Sequence, residues 1–283
     1  MAAVGLVCHG LRAEALDLAC AAGAWLTERG HQPRVLKDDA RAAGLEPWVH
    51  PADDFARGLD LAVSLGGDGT MLRTVDLVCD ADVPVLGVNV GHLGYLTEVE
   101  PAELFDALER FFAGDYAVEA RMTLEVGVDV GGTSSTYTAL NEAVVGVSSP
   151  GHTVRLAMSL NNQAFTSYAA DGVIVATPTG STAYNLSARG PIVSPRHRAI
   201  VITPVSAHML FDRALVLDAD EVLRLEVIGD RSAALVVDGR PIANLDPGDV
   251  LRCCAGSHDA LLVTFGQRDF HRILKAKFGL TDR

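Results

Sequence analysis

The hydrophobic pattern of this chain changes its period near residues 116–121. Before that point, short apolar runs such as residues 61–65 alternate with segments of helical spacing such as residues 103–112. After it, apolar residues recur at every second position, for example in residues 124–130. Strands that alternate with helices form parallel sheets, whereas period-two runs separated by turn residues form antiparallel ones. The pattern therefore predicts an N-terminal α/β domain followed by a β-rich domain.

The change of period also sets the predicted domain bounds. Residues 1–118 form the Rossmann-like α/β domain with a parallel sheet, and residues 119–265 form the β-rich, sandwich-like domain, whose last strand is residues 261–265. Residues 266–283 return to helical spacing. We expect this tail to pack back on the first domain as a C-terminal helix.

The acidic composition limits the partners of the chain. It has 36 Asp and Glu against 23 Lys and Arg, a formal net charge of −13. Binding to nucleic acid or to an anionic membrane surface needs a basic face, so neither partner is expected. A phosphate site in such a chain must draw its positive field locally, from backbone amides, Arg or Lys, or a divalent metal.

The cysteines and the start of the chain favour a cytoplasmic protein. The five cysteines are odd in number and lack CxxC spacing, so free thiols in a reducing compartment are expected. The nine histidines show no HExxH or Cys/His pattern, so the sequence does not support a structural zinc site. No leader peptide or long apolar run is recognisable.

A glycine-rich turn with one acidic residue, GGDGT at positions 66–70, follows the apolar run 61–65. Glycine tolerates positive φ and lets a phosphate approach the main chain, and a helix N-terminus offers unpaired N–H groups. Among such amides, Asp68 is unusual unless it accepts a proton, binds a metal or contacts a hydroxyl. The turn favours phosphoryl transfer, although an ordinary α/β turn in which Asp68 caps the helix remains an alternative.

Three further segments combine glycine or hydroxyl residues with polar groups. The loop at positions 87–96 has three glycines, and its Asn89 can hydrogen-bond a hydroxyl or a phosphate. Asn141 and Glu142 interrupt an apolar run, where they either bind a purine edge or ribose diol or lie exposed on an edge strand. In residues 171–187 a buried strand leads into a Thr/Ser/Gly loop, an uncharged cradle suited to ribose and pyrophosphate.

These four motifs occur in the order seen in NAD kinases, which the chain resembles over nearly its whole length. The GGDGT motif is shared with diacylglycerol- and sphingosine-type lipid kinases, whereas TPTGSTAY at positions 177–184 is particular to NAD kinases. The resemblance implies phosphorylation of the 2′-hydroxyl of the adenosine ribose of NAD to give NADP. It also implies ATP or polyphosphate as donor, Mg²⁺ or another divalent cation, and a homodimer or homotetramer.

The resemblance also implies roles for individual residues. Asp68 matches the proton acceptor. Together with Asn89, the positions expected to contact nucleotide are Asp68, Gly69, Arg73, Asn141, Glu142, His152, Asp171, Thr182, Ala183, Tyr184, Asn185, Leu186, Ser187 and Arg240. Two positions depart from the family pattern, because Arg240 stands where some members carry Gln and Ala169 where some carry a basic residue.

Two alternatives belong to other functional classes. A lipid kinase would need a basic or apolar membrane-facing surface, which the net charge of −13 disfavours. A non-catalytic dinucleotide sensor would bind NAD without consuming ATP, and it has little reason to keep Asp68.

Overall fold

The computed structural model describes residues 1–41, 44–91, 94–149, 152–209, 211–266 and 269–280, and the chain divides into two compact units. Unit 1 comprises Met1–Ala120 and Ala260–Arg283, and unit 2 comprises Arg121–Asp259. Unit 1 mixes helices with a mostly parallel sheet, and unit 2 is built almost entirely of strands. The predicted class, an α/β domain plus a β-rich domain, is confirmed.

The elements are numbered along the chain. The strands are β1 (Ala3–Cys8), β2 (Gln32–Leu36), β3 (Val49–His50), β4 (Leu61–Gly66), β5 (Val85–Asn89), β6 (Ala117–Arg121), β7 (Leu124–Val130), β8 (Thr133–Ala139), β9 (Glu142–Val147), β10 (Val154–Leu160), β11 (Gln163–Ala170), β12 (Gly172–Ala176), β13 (Ala199–Val205), β14 (Leu215–Asp218), β15 (Leu223–Val227), β16 (Ala233–Val237), β17 (Arg240–Leu245), β18 (Val250–Ala255) and β19 (Ala260–Thr264). The α-helices are α1 (Ala13–Glu28), α2 (Asp68–Val78), α3 (Leu104–Phe112), α4 (Tyr184–Ser187) and α5 (Phe270–Phe278).

The sheet of unit 1 has the order β3-β2-β1-β4-β5-β19-β6. Strands β1, β4 and β5 are buried throughout and apolar apart from Ser64 and Asn89, as expected for central parallel strands covered by helices. Their carboxyl ends meet, because Cys8 pairs with Leu65 and Gly66 pairs with Asn89. The loops that follow these three strands are therefore neighbours, which is where open α/β sheets bind ligands.

One predicted strand belongs to the other unit. Residues 261–265 were expected to close the β-rich domain, but β19 lies in the sheet of unit 1, where Leu262 pairs in parallel with Val85. This expectation was wrong, because a short, mostly apolar strand carries no local signal of its partner. The structural division falls at residues 120/121 and 259/260, and α5 belongs to unit 1.

Unit 2 is a sandwich of two six-stranded sheets, β11-β10-β15-β18-β7-β8 and β14-β13-β12-β9-β16-β17. Alternate residues of both sheets point into one shared core, for example Leu156 and Leu225 from the first and Val145 and Val173 from the second. Strand β9 pairs on one side with β12 and on the other with β16. No α-helix in the described part of the chain is long and apolar enough to cross a membrane.

Candidate active site

Asp68 is the first residue of α2, directly after β4 and its one-residue link Gly67. The N–H groups of a helix's first turn have no partner within the helix, and the helix dipole adds partial positive charge there. The carboxylate therefore lies at an anion-binding end of a helix, at the carboxyl edge of the sheet. The helix thus begins within the GGDGT turn itself, at its third residue.

The Asp68 carboxylate bonds to a distant loop rather than to its own helix. Its Oδ2 accepts a hydrogen bond from the N–H of Tyr95 at 2.9 Å, and its Oδ1 accepts one from the N–H of Leu96 at 2.9 Å. Both oxygens are thus held by the segment that follows β5. The alternative interpretation, that Asp68 is a helix cap, is wrong.

The three glycines of the GGDGT turn differ in what they leave room for. A Cβ on Gly66 would lie 2.2 Å from Thr70 Oγ1, so Gly66 permits close packing of the turn. A Cβ on Gly67 or Gly69 would meet no atom within 4 Å. None of the three has the positive φ that was expected of glycine here. Gly67 and Gly69 instead leave the backbone uncovered beside open space.

A cavity of about 650 Å³ opens beside Asp68. It is lined by Cys8, His9, Gly10, Leu11, Arg12, Gly67, Asp68, Gly69, Thr70, Arg73 and Gly94. The sequence motifs did not include residues 9–12. The pairing of β1 beside β4 explains their presence, and an α/β prediction with ligands at the carboxyl ends of the strands could have suggested it.

Two arginines place positive charge at the cavity, although the chain as a whole has a net charge of −13. Arg73 pairs through Nη2 with Asp39 Oδ1 at 2.5 Å and donates through Nη1 to the Cys8 carbonyl at 3.3 Å. Burial raises the pKa of Asp39, although the Arg73 guanidinium acts in the opposite direction. Arg12 donates through Nη1 to the carbonyl of Val90, in the loop after β5.

Cys8 lines the cavity but is not a candidate nucleophile. Burial, with the charge of Asp39 in second place, raises the pKa of the Cys8 thiol to about 12. The thiolate is the reactive form of cysteine, so this side chain is inert at neutral pH.

Asn89 lies buried at the end of β5, and the cavity-lining residues do not include it. Its Nδ2 donates to Glu100 Oε1 at 3.2 Å, whereas its Oδ1 is buried without a hydrogen-bond partner. A buried unpaired acceptor is costly, and a donor group of a ligand would satisfy it. Two positions of the same predicted loop, His92 and Leu93, lie outside the described residues.

In unit 2, Asp238 holds the start of β9. Its Oδ1 accepts from the N–H groups of Asn141 at 2.9 Å and Glu142 at 3.0 Å, and its Oδ2 accepts from Leu140 at 2.7 Å. The partners of Asp238 lie about a hundred residues away in sequence, so no local pattern indicates this role. This carboxylate determines where Asn141 and Glu142 lie.

Glu142 is a buried acid with one unpaired oxygen. Its side chain is 8% exposed, and Oε2 has no hydrogen-bond partner. Burial, reinforced by the negative charge of Asp238 and opposed by the N–H of Tyr184, raises the pKa of Glu142 to about 8. Because β9 is a central strand, the expectation of an exposed edge-strand pair is wrong for Glu142. At neutral pH this group is mostly protonated and can donate a hydrogen bond.

The TPTGSTAY loop packs against the residues that lead into β9. Thr177 Oγ1 donates to the Leu140 carbonyl at 2.5 Å, and a Cβ on Gly180 would lie 2.1 Å from the Asn141 carbonyl. Tyr184 is 44% exposed, so its ring is available for stacking on a base. Of the other predicted contacts, Thr182, Ala183 and Leu186 are half-buried and Ser187 is exposed.

Asn185 departs from its expected role. Its side chain is 0% exposed, with Nδ2 donating to the carbonyls of Ser181 at 3.1 Å and Pro191 at 3.0 Å. Its Oδ1 accepts from Thr203 Oγ1 at 2.6 Å. The side chain therefore holds the loop together, and Asn185 as a whole offers no exposed surface for a ligand.

The remaining predicted contacts separate into two groups within unit 2. Arg240 lies exposed at the start of β17, at the same end of the sheet as Glu142. Asp171 lies at the opposite end, because β12 pairs antiparallel with β9 and sets Gly172 against Gly146 but Ala176 against Glu142. The two ends of β9 are roughly 17 Å apart.

His152 belongs to the Asp171 end. Its Nδ1 lies 2.9 Å from Nη1 of Arg231, which precedes β16 at the end where Ala233 pairs with Val147. An arginine can only donate, so Nδ1 accepts and the proton of the neutral ring resides on Nε2. The structure therefore does not bring His152 and Asp171 together with Glu142.

The described residues contain no group of three or more His, Cys, Asp or Glu side chains arranged to hold a metal ion. Mg²⁺, however, commonly keeps several waters and is held by one or two carboxylates together with substrate phosphates. A metal that arrives with phosphates is compatible with this cavity, where Asp68 is the one carboxylate among the lining residues.

Comparison with known proteins agrees with this architecture. The family model of the ATP-NAD kinase N-terminal domain matches residues 4–116, and that of the ATP-NAD kinase C-terminal domain matches residues 140–265. An NAD kinase of Heliobacterium modesticaldum is 42% identical over 280 residues, covering 98% of each chain.

Two solved structures share the fold. The crystal structure of yeast NADH kinase complexed with NADH superposes with a TM-score of 0.92 at 25% identity, covering 100% of this chain and 89% of that one. An NAD kinase from Archaeoglobus fulgidus in complex with ATP has a TM-score of 0.72 at 23% identity and covers 99% of both chains, which supports the fold alone. From these matches, the chain belongs to the NAD kinase family.

Proposed function

We propose that this chain transfers the terminal phosphoryl group of ATP to the 2′-hydroxyl of the adenosine ribose of NAD, with Asp68 as general base. Family membership supports the reaction, and the two N–H bonds that orient the Asp68 carboxylate beside the cavity support its role. That orientation is the observation on which the assignment rests, because a helix cap would have no reason to point there.

The proposed reaction follows from the weakness of a ribose hydroxyl as a nucleophile. Asp68 accepts the proton of the 2′-hydroxyl while the oxygen forms a bond to the γ-phosphorus. The bond from that phosphorus to the bridging β–γ oxygen breaks, and ADP leaves with the electron pair. A positioned general base contributes roughly 10²- to 10⁴-fold to such a step.

The donor phosphates fit the cavity at the start of α2. Open backbone at Gly67 and Gly69 lets phosphate oxygens approach the amides, and Arg12 and Arg73 add positive charge. A divalent cation bound with the donor would lower the charge on the β- and γ-phosphates. It would be held mostly by phosphate oxygens and water, with Asp68 as the nearest lining carboxylate. Because these contacts are to phosphates, the proposal admits polyphosphate as a second donor.

In unit 2 we assign nucleoside recognition to Asn141, Glu142 and Tyr184. Glu142, kept protonated by burial, donates where an ionised carboxylate would only accept. The exposed ring of Tyr184 offers a stacking face, and its N–H holds Glu142 in place. The exposed guanidinium of Arg240 is assigned to the same end of the sheet.

We also propose a homo-oligomer, a homodimer or homotetramer. Asp171 and His152 are separated from Glu142 by the length of β9. This separation supports an oligomer, since Asp171 and His152 of one copy can contact the dinucleotide bound by another copy. Closed symmetry makes such sharing reciprocal between copies.

The direct test is to incubate the protein with Mg²⁺, NAD and ATP, and to detect NADP with an NADP-specific dehydrogenase. Parallel reactions replace ATP by polyphosphate or NAD by NADH, which identifies the donor and the redox form of the acceptor. Formation of NADP with loss of ATP supports the proposal. Binding of NAD without turnover would instead support a dinucleotide sensor.

A further inference from the structure

The loop that holds Asp68 folds back along β5. Val99 forms a parallel bridge with Val88, and the N–H groups of Glu98 and Val99 both donate to the Gly87 carbonyl. The beginning of the same loop carries the two amides that bond Asp68. The orientation of the carboxylate therefore depends on where this loop lies.

The C-terminal segment contacts the loop at two points. Glu98 Oε1 accepts from Thr264 Oγ1 at 3.0 Å and from the N–H of Phe265 at 3.0 Å, at the end of β19. In the last turn of α5, Lys277 places its Nζ 4.1 Å from the centroid of the Tyr95 ring. The loop is thus held through Glu98 at one end and through Tyr95 at the other.

Helix α5 is not held on unit 1 by a buried core, because none of its described side chains is buried. Specific contacts must therefore decide where its last turn lies. The partly buried Tyr95 ring is one such contact, and it lies close to Asp68. Burial raises the pKa of the Tyr95 hydroxyl, and the negative charge of Asp68 adds to that effect. A cation stacked on this ring is therefore also subject to the negative charge of Asp68.

We propose that Lys277 is a positioning residue for phosphoryl transfer: its ammonium group, stacked on Tyr95, holds the loop whose amides orient Asp68. The inference rests on the proposed function of Asp68 as general base. Lys277 acts through Tyr95 and does not touch the reacting atoms.

The test replaces the charge while keeping the length of the side chain. In full-length Lys277→Met we expect kcat to fall roughly 2- to 5-fold, the effect of losing an exposed cation–π contact. The KM values for NAD and ATP stay unchanged, because the substrate contacts are intact. Lys277→Arg, which keeps a cation, restores kcat. Arg272→Met, which removes an exposed cation in the first turn of the same helix, is the control and leaves kcat unchanged.

Hydrogen exchange gives a readout that does not depend on activity. The amides of Tyr95 and Leu96 donate the two bonds to Asp68, so their exchange should be faster in Lys277→Met and normal in Lys277→Arg. In a double-mutant cycle with Tyr95→Leu, adding Lys277→Met should cause no further loss.

Three results would overturn the inference: an unchanged kcat and exchange rate, additive losses in the cycle, or a raised KM for ATP at constant kcat. The last result would identify Lys277 as a phosphate contact. If the wild-type protein forms no NADP, the proposed function fails, and the exchange of the two amides still decides whether Lys277 holds the loop in place.

Discussion

Asp68 begins a helix, yet both of its carboxylate oxygens are bonded by amides from a loop that follows the neighbouring strand. Two fixed donors leave the side chain little freedom, which is the preorganisation that a general base requires. At the scale of single residues, the proposed chemistry depends on this arrangement and on the protonated state of Glu142.

Asp68→Asn removes the proton acceptor, and we expect kcat to fall roughly 10²- to 10⁴-fold with NAD affinity nearly unchanged. NADP formation and calorimetric titration with NAD measure the two quantities. The amide also places an NH₂ group opposite one of the two N–H donors, so thermal unfolding is measured in parallel. Asp80→Asn, at an exposed position, is the control. Equal loss of turnover and NAD binding would contradict a role limited to catalysis.

Gly94→Ala tests the packing that holds the carboxylate. A Cβ at this position would lie 2.3 Å from Asp68 Oδ1 and 2.9 Å from Thr97 Oγ1, so the carboxylate has to move. We expect a loss of kcat of about 10-fold or more with the fold retained, since misplacing a catalytic group by about 1 Å costs up to 10²-fold. Gly266→Ala, where a Cβ meets no atom within 4 Å, serves as the control. Wild-type turnover in Gly94→Ala would show that Asp68 need not be held.

The raised pKa of Glu142 predicts that the stability of the protein depends on pH. Its pKa is about 8 in the folded protein against an ordinary 4.5, so the folded state holds a proton that the unfolded state has lost. Its contribution to stability is therefore fully present below pH 4.5 and is lost as pH rises through 8. Relative to Glu142→Gln, the wild-type free energy of unfolding should fall by about 1.4 kcal/mol per pH unit within that window. Urea unfolding of both proteins across pH measures this difference, and parallel curves would contradict it.

At the scale of elements, the proposed catalytic group lies at a junction between a strand and a helix. The apolar run of β4, the Gly-rich turn and α2 were all predictable, because local spacing and turn chemistry determine them. The partners of β19 and of the loop after β5 were not, since a strand's neighbours depend on contacts between residues far apart in sequence. Helix α5 was expected from its spacing, but the contact of Lys277 with Tyr95 could not be read from it.

The contribution of the N-cap residue Asp269 to the stability of α5 can be tested by substitution. Asp269 accepts from the N–H groups of His271 at 3.0 Å and Arg272 at 3.2 Å. Asp269→Ala should destabilise this helix by about 0.5–2 kcal/mol, whereas Asp269→Ser keeps a capping oxygen. Hydrogen exchange across α5 should rise in the alanine variant only. If exchange is unchanged, the cap does not set the stability of the helix.

At the scale of the whole molecule, the separation of Asp171 from Glu142 along β9 predicts sites shared between copies. Asp68→Asn and Asp171→Ala should each be weakly active alone. Mixing them under conditions that exchange subunits should recover activity, because one mixed site has both residues intact. Light scattering establishes the oligomer, and a mixture no more active than its parts would show that each copy works alone.

The sequence by itself determined the class of each unit, the positions of the four motifs and the family, because hydrophobic period, turn residues and contiguous motifs are local properties. Only the tertiary structure decided that amides of Tyr95 and Leu96 hold Asp68, that the Asn185 side chain is internal, and that Asp171 lies away from Glu142. Only the tertiary structure, too, shows that residues 9–12 line the cavity and that β19 belongs to the parallel sheet. These features depend on pairings between distant segments, for which no local pattern carries a signal.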